Sequence, residues 1–204
     1  MEGITLEEMR YPMKTVIIYA HPSEKSFCHA VKEACVQQLR EMGHEFYIRD
    51  LYAMNFQPVL YEDNYSQFYQ NKLPEDIAAE QEYLGWAEHL ILIYPTWWVS
   101  MPAILKGYID KVLTNGFAFR FVEDSAEGLL NGKKAYIFQT TGQAQKLLTS
   151  KQLTSSVETI TDLGIMKYCG IETMTHKFFY SVPYVDQEER EVMLNEVKEI
   201  VQGI

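Results

Sequence analysis

The chain has 204 residues, 47% hydrophobic and 23% charged, with a net charge of −10. That is enough length and apolar content for one ordinary core, and too little charge for a disordered chain. The acidic balance argues against nucleic acid and anionic membranes as partners, and no apolar run reaches the roughly 20 residues of a bilayer-spanning helix. Residues 1–13 lack the apolar stretch of a secretory signal and read as a short N-terminal extension, with a single domain expected over residues 14–204. Cys28, Cys35 and Cys169 form neither a CxxC pair nor metal-ligand spacing, so three thiols in a reducing cytoplasm are expected, with no metal site.

In chain order, Thr15–Ala20 is a β-branched run without alternation, the pattern of a parallel strand buried on both faces. Ser26 precedes a helical pattern that ends at Gly43, and Glu45–Asp50 reads as the second strand. Leu51 to Leu73 has no period, but its many aromatics favour packing over disorder. Pro74, followed by Glu75 and Asp76, opens a helix to about Glu88. His89–Tyr94 is strand three, and Pro102 opens the next helix, through Leu113. Lys134–Thr140 is strand four, about Lys151 to Tyr168 is a long helical region, Thr173–Val182 is strand five, and a last helix runs from Asp186 to about Val201. Strict alternation of strand and helix implies a parallel sheet covered on both faces. Right-handed crossovers then favour a five-stranded doubly wound sheet of order 2-1-3-4-5.

Ligands of such sheets bind beyond the carboxyl ends of the strands. Three loops there have unusual composition. The first, from His21 to Cys28, leads into a helix N-terminus, where free N–H groups and a partial positive charge suit phosphate. Ser26 can cap that helix and also meet phosphate, and His21 can donate to the same anion; neither a P-loop nor a GxGxxG fingerprint is present. The second, Pro95-Thr96-Trp97-Trp98-Val99-Ser100-Met101-Pro102, puts adjacent tryptophans after a buried strand, so one of them is expected to wall a pocket for a flat ring. The third, Thr140-Thr141-Gly142, offers hydroxyls and a glycine that lets a ligand approach the backbone. Each alone is ordinary: an N-cap, core aromatics, a turn. Together, on adjacent strand ends, they define a site for a flat, phosphorylated ring.

Several segments carry a family resemblance: VIIYAHPSEKSF (Val16–Phe27), DLYAMNFQP (Asp50–Pro58), DIAAEQ (Asp76–Gln81), YPTWWVSMPAILKGYIDKVL (Tyr94–Leu113), GFAF (Gly116–Phe119) and TTG (Thr140–Gly142). The chain resembles the NAD(P)H:quinone oxidoreductases, flavoproteins of flavodoxin-like fold that include the ancillary subunits of bacterial potassium-efflux systems. The resemblance implies a cytoplasmic homodimer that passes hydride from NADH or NADPH to a quinone or similar acceptor, in two half-reactions through a bound flavin. It implies that His21, Ser26, Phe27 and Cys28 hold the flavin phosphates. Pro95, Thr96, Trp97, Trp98 and Val99 would contact the isoalloxazine, largely through backbone groups, and Thr140, Thr141 and Gly142 would close over its other side. Phe117 and Phe119 would border the acceptor pocket. FMN is favoured, because the long C-terminal extension of the larger FAD-binding members is lacking; FAD is the alternative, with the aromatic stretch Tyr61–Asn71 available to cover an adenosine. The other functional reading is a flavin- and nucleotide-binding regulatory subunit of a potassium-efflux transporter.

One departure stands out. Many members follow TTG with a Tyr and a His that assist proton movement, and here those offsets carry Leu148 and Thr154. A catalytic residue is therefore not assigned, with Tyr180 and His176 the candidates to replace the relay. His29, His44, His89 and His176 otherwise read as surface or interface histidines, and Lys133-Lys134 as a solvated approach to strand four.

Overall fold

The computed structural model describes residues 11–62 and 72–204. Five parallel strands form one sheet: β1 (Lys14–Tyr19), β2 (Glu45–Asp50), β3 (His89–Pro95), β6 (Lys134–Thr140) and β7 (Glu172–Phe179), in the order β2-β1-β3-β6-β7. In order of appearance these are strands 2-1-3-4-5, the predicted doubly wound arrangement. Every residue of β3 is buried, and β1 is buried after Lys14, as expected of strands covered on both faces.

The period of two within those strands sorts their side chains into two cores. Val16 and Ile18 of β1, Leu90, Leu92 and Tyr94 of β3, and Ala135 and Ile137 of β6 pack on one face against Ile77 and Leu84 of α2 (Glu75–Trp86) and Leu105, Tyr108 and Val112 of α3 (Ala103–Val112). Ile17 and Tyr19, Ile91 and Ile93, Tyr136 and Phe138 pack on the other, against Val31 and Leu39 of α1 (Phe27–Glu41) and Val197 and Val201 of α6 (Gln187–Gln202). Local chemistry fixes the helix ends. Ser26 caps α1, accepting from the His29 N–H, and Asp186 closes a capping box with Glu189 on α6.

Three features differ from the sequence reading. A two-stranded antiparallel hairpin, β4 (Phe119–Val122) and β5 (Ser125–Gly128), occupies the segment between Leu113 and Lys134 to which no element was assigned. The helical region expected over about Lys151 to Tyr168 is preceded by a further short helix, α4 (Gln145–Ser150), and is not regular: α5 (Leu153–Glu158) runs on into a π-helical stretch (Thr159–Met166) and a 3₁₀ turn (Lys167–Cys169), with Gln152 in a left-handed conformation at φ 56° between α4 and α5. Strand five ends at Phe179 instead of Val182, because Ser181 turns the chain with a φ of 54°.

Two side-chain expectations are also corrected. His44, His89 and His176 are buried rather than on the surface: His89 lies inside the sheet beside Tyr136, and His44 accepts from the Met13 N–H. Lys133 is not merely solvated, since its ammonium donates to the carbonyls of Gly85 and Ala87 and so closes the C-terminus of α2. The three cysteines are free and buried. Residues 1–10 of the expected extension, and residues 63–71 of the segment expected to cover an adenosine, lie outside the described residues.

Candidate functional site

The site is built at the carboxyl edge of the sheet, on both sides of β3. The register aligns Tyr19 with Ile93 and Pro95 with Thr140, so the chain leaves β1, β3 and β6 at nearly one level. The loops are then tied together. Ala20 N–H donates to Ile93 C=O, Thr96 N–H to Thr140 C=O at 2.7 Å, and Thr141 N–H to Phe179 C=O at 2.8 Å. The imidazole of His21 and the indole of Trp97 lie 6.4 Å apart, bringing the first loop beside the second.

In the first loop, Ser23 N–H donates to His21 Nδ1 at 3.0 Å. This occupies the Nδ1 lone pair and leaves the ring proton on Nε2, as a donor free for an incoming anion. Burial lowers the His21 pKa below its ordinary value, a change that the hydrogen bond with Ser23 partly offsets, so the ring is neutral at pH 7. Ser26 Oγ accepts from His29 N–H at 3.1 Å and shares a 3.5 Å contact with the Tyr19 hydroxyl, in which either can donate. The N–H groups of Phe27 and Cys28 precede the first intrahelical bond of α1 and open towards the same edge.

The side chains of Phe27 and Cys28 do not face the anion site. Phe27 packs edge-on against Phe179 with Arg190 over its ring. The buried Cys28 thiol contacts Thr140 Oγ1 at 3.2 Å, and burial pushes its pKa up to about 12. These two residues therefore offer backbone N–H groups to a ligand, not side chains.

The second loop is the most unusual piece of backbone. Trp97 N–H donates to Ser100 C=O, and Ser100 N–H donates to Trp97 C=O. Between them, Trp98 and Val99 both take positive φ, 53° and 58°. Two such residues in succession make a turn of type I′, a conformation that Asn and Gly adopt readily and a β-branched Val does not. Such strain persists where the surroundings enforce it, and it clusters at ligand sites. The turn holds three large apolar side chains out in solvent: Trp97, Trp98 and Val99 are 42%, 99% and 38% exposed. Neither tryptophan is buried in the core, so both are available to a ligand or a partner.

In the third loop, Thr140 and Thr141 are buried and engaged, Thr140 with Cys28 and Thr141 Oγ1 with Gln143 N–H. Gly142 is exposed, and a Cβ there would meet only Pro183, at an ordinary 3.6 Å. Nothing within the chain requires glycine at this position, which leaves its open space as room for a ligand. Phe117 and Phe119 are half-buried at the start of the β4–β5 hairpin, with Phe119 packed against Phe121 and Tyr168. Leu148, at the offset of the family's relay Tyr, is buried and carries no proton to give. On β7 and just past its end, His176, Phe178 and Tyr180 stack along one face at centroid spacings of 4.5 and 5.9 Å.

A group that the sequence reading did not find lies directly beneath the second loop. Gln139 Nε2 donates to Thr96 Oγ1 at 2.7 Å, Gln139 Oε1 meets His176 Nε2 at 3.0 Å, and His176 Nδ1 meets Asp162 Oδ1 at 2.8 Å. In the sequence Gln139 sits in a mostly apolar strand and Asp162 in a region of helical spacing, so neither marks itself as a partner of His176.

Comparison with known proteins fits this geometry. The family described as flavodoxin-like fold matches residues 13–201. An uncharacterized NAD(P)H oxidoreductase of Haemophilus influenzae is 35% identical, over 89% of this chain and 91% of its own. The mouse ribosyldihydronicotinamide dehydrogenase [quinone] is 31% identical, over 89% of this chain and 87% of its own. The solved NAD(P)H:quinone oxidoreductase of Methanothermobacter marburgensis superposes with a TM-score of 0.85 at 31% identity, covering 94% and 98% of the two chains. The chain belongs to the flavodoxin-like family and, within it, to the NAD(P)H:quinone oxidoreductases.

Proposed function

We propose that this protein binds FMN at the three-loop edge and uses it to pass reducing equivalents from NADH or NADPH to a quinone or similar small acceptor, in two half-reactions at one face. The observation that carries this reading is the left-handed Trp98–Val99 turn, set beside a helix N-terminus that offers free N–H groups. When bound, the flavin supplies the hydride chemistry. The chain binds and orients it.

His21 Nε2–H, Ser26 Oγ–H and the N–H groups of Phe27 and Cys28 are donors suited to a phosphate dianion. Pro95, Thr96 and the Trp97–Val99 turn would meet the edge and face of the ring; Thr140 and Thr141 shape the floor, and Gly142 leaves space on the far side. Phe117 and Phe119 would border the acceptor. The fully exposed Trp98 ring, together with the exposed Phe121, supports a homodimer in which a second copy covers this mouth. Among the described residues no helix is long and apolar enough to cross a membrane, and a cytoplasmic location with reduced thiols completes the reading.

Steady-state NAD(P)H oxidation by protein reconstituted with FMN or FAD, against a panel of quinones, nitroaromatics and azo dyes, tests the proposal. Turnover with at least one acceptor class is expected. A regulatory subunit of a transporter would instead bind flavin and nucleotide without sustained oxidation.

A further inference from the structure

We propose that Asp162, His176 and Gln139 form a proton-linked positioning chain that sets which way the Thr96 hydroxyl points. The proposal rests on the flavin reading insofar as Thr96 faces the ring; the chain itself is a property of the protein alone.

The donors and acceptors admit one assignment in the arrangement observed. Gln139 directs its NH2 group to Thr96 Oγ1 and its carbonyl oxygen to His176 Nε2. A carbonyl oxygen only accepts, so Nε2 carries a hydrogen. Nδ1 lies 2.8 Å from a carboxylate, and with Asp162 ionised it carries a hydrogen too. His176 is then an imidazolium paired with Asp162, its side chain 3% exposed and that of Asp162 19%. Thr96 Oγ1, already accepting from Gln139, has its own proton free to point away from the sheet, towards the ligand edge.

Removing the Nε2 proton reverses the chain. The bare nitrogen becomes an acceptor and repels the Gln139 oxygen that faces it. A half-turn of the Gln139 amide restores both bonds, with NH2 towards His176 and oxygen towards Thr96. The Thr96 hydroxyl must then turn inward to donate. One proton on a buried histidine thus decides whether Thr96 offers a donor or a lone pair to its ligand.

The surroundings isolate this equilibrium. Gln139 is fully buried, and His176 stacks on Phe178. From β3, the Tyr94 hydroxyl lies near Asp162, and burial, reinforced by the Asp162 charge, raises its pKa so that it stays protonated. Lys177, next along β7, is engaged with Glu196 at 2.7 Å. Among the described residues Asp162 is thus the one charged group recorded against the imidazole. Asp162 itself is presented by a π-helical stretch, a widening of the helix that recurs at functional positions.

The test is a pH titration of His176 by ¹⁵N-resolved NMR, in native protein and in Q139L and T96V, each with and without FMN. In the absence of flavin, native His176 supplies the reference titration. The midpoint should fall by about one unit in Q139L, which leaves the Nε2–H without an acceptor. T96V, a change at the half-exposed end of the chain, should lower it in the same direction by freeing the amide. With FMN, the native midpoint should rise and FMN affinity should weaken above it, since proton and ligand favour the same Thr96 orientation; T96V should abolish both effects. A His176 midpoint indifferent to Q139L and T96V would overturn the chain whether or not FMN binds. A chain intact in the apoprotein but unmoved by bound FMN would overturn its link to the ligand. Failure to bind FMN at all would count against the proposed function, while the apoprotein titrations would still decide the chain.

Discussion

At the scale of single residues, the site depends on which atoms are already spoken for. His21 accepts from Ser23 N–H and keeps its Nε2 hydrogen to donate outward, while Ser26 accepts from His29 N–H and shares its hydroxyl with Tyr19. Replacing both with Ala should leave the sheet intact and weaken flavin binding by about 1.5–3 kcal/mol for each lost charge-assisted contact. Ser26→Ala alone should also cost about 1 kcal/mol of stability through the lost cap. Fluorescence titration with FMN, beside urea unfolding, separates the two effects; unchanged affinity in the double variant would make the first loop a cap and nothing more. Much of this was legible in the sequence, because a Ser before an amphipathic run announces both a cap and an N–H cluster. Cys28 was legible only as a position. That its thiol turns into the core to meet Thr140, across 112 residues of chain, depends on tertiary packing that no local pattern encodes.

At the scale of elements, the turn after β3 stores strain that its ligand can use. Val99 is β-branched and held at φ 58°, next to Trp98 at 53°. Val99→Gly removes the steric cost of that conformation, of order 1–3 kcal/mol, offset in part by the greater freedom of glycine in the unfolded chain. We expect a variant at least as stable as the native protein, with weaker flavin binding because the turn is no longer held rigid. A thermal melt together with FMN titration checks this, and a variant both less stable and unaltered in affinity would show that the turn is not strained for function. The sequence marked this loop through its adjacent tryptophans but not its conformation, since neither Trp nor Val signals a type I′ turn. The same limit hid the hairpin of β4 and β5: Phe119–Val122 and Ser125–Gly128 are short, largely exposed strands that lack the apolar runs by which the buried strands declare themselves. The π-helical stretch was equally silent, because its apolar spacing passes for that of an α-helix.

At the scale of the whole molecule, topology was the most legible property. Buried parallel strands read as continuous apolar runs, and their alternation with helices leaves few ways to wind the sheet. Polar residues inside that sheet were the least legible, and they shape its response to pH. Burial lowers the pKa of His89, with the neighbouring Lys134 charge acting in the same direction. The unfolded chain therefore binds a proton there that the folded chain resists. The associated stability is fully present above the unfolded value, about 6.5, and is lost as pH falls below it towards the folded value. Urea midpoints should fall between pH 7.5 and 5.5, and His89→Phe, which keeps the ring against Tyr136, should flatten that slope. An equal slope in the variant would place the acid sensitivity elsewhere.

The redox reading is tested most directly by following the two half-reactions separately, by rapid mixing under anaerobic conditions with FMN-reconstituted protein. Transfer from NAD(P)H needs a stacked nicotinamide and no proton donor from the protein, whereas reduction of a quinone needs a proton as well, and general-acid help is typically worth about 10²–10⁴-fold. With a buried Leu148 at the sequence offset of the Tyr implied by the resemblance, NADH or NADPH should bleach the flavin absorbance completely, and a quinone should restore it in a comparatively slow second step. Protein whose flavin absorbance is unchanged by either nucleotide, or that takes up no flavin, would contradict the account.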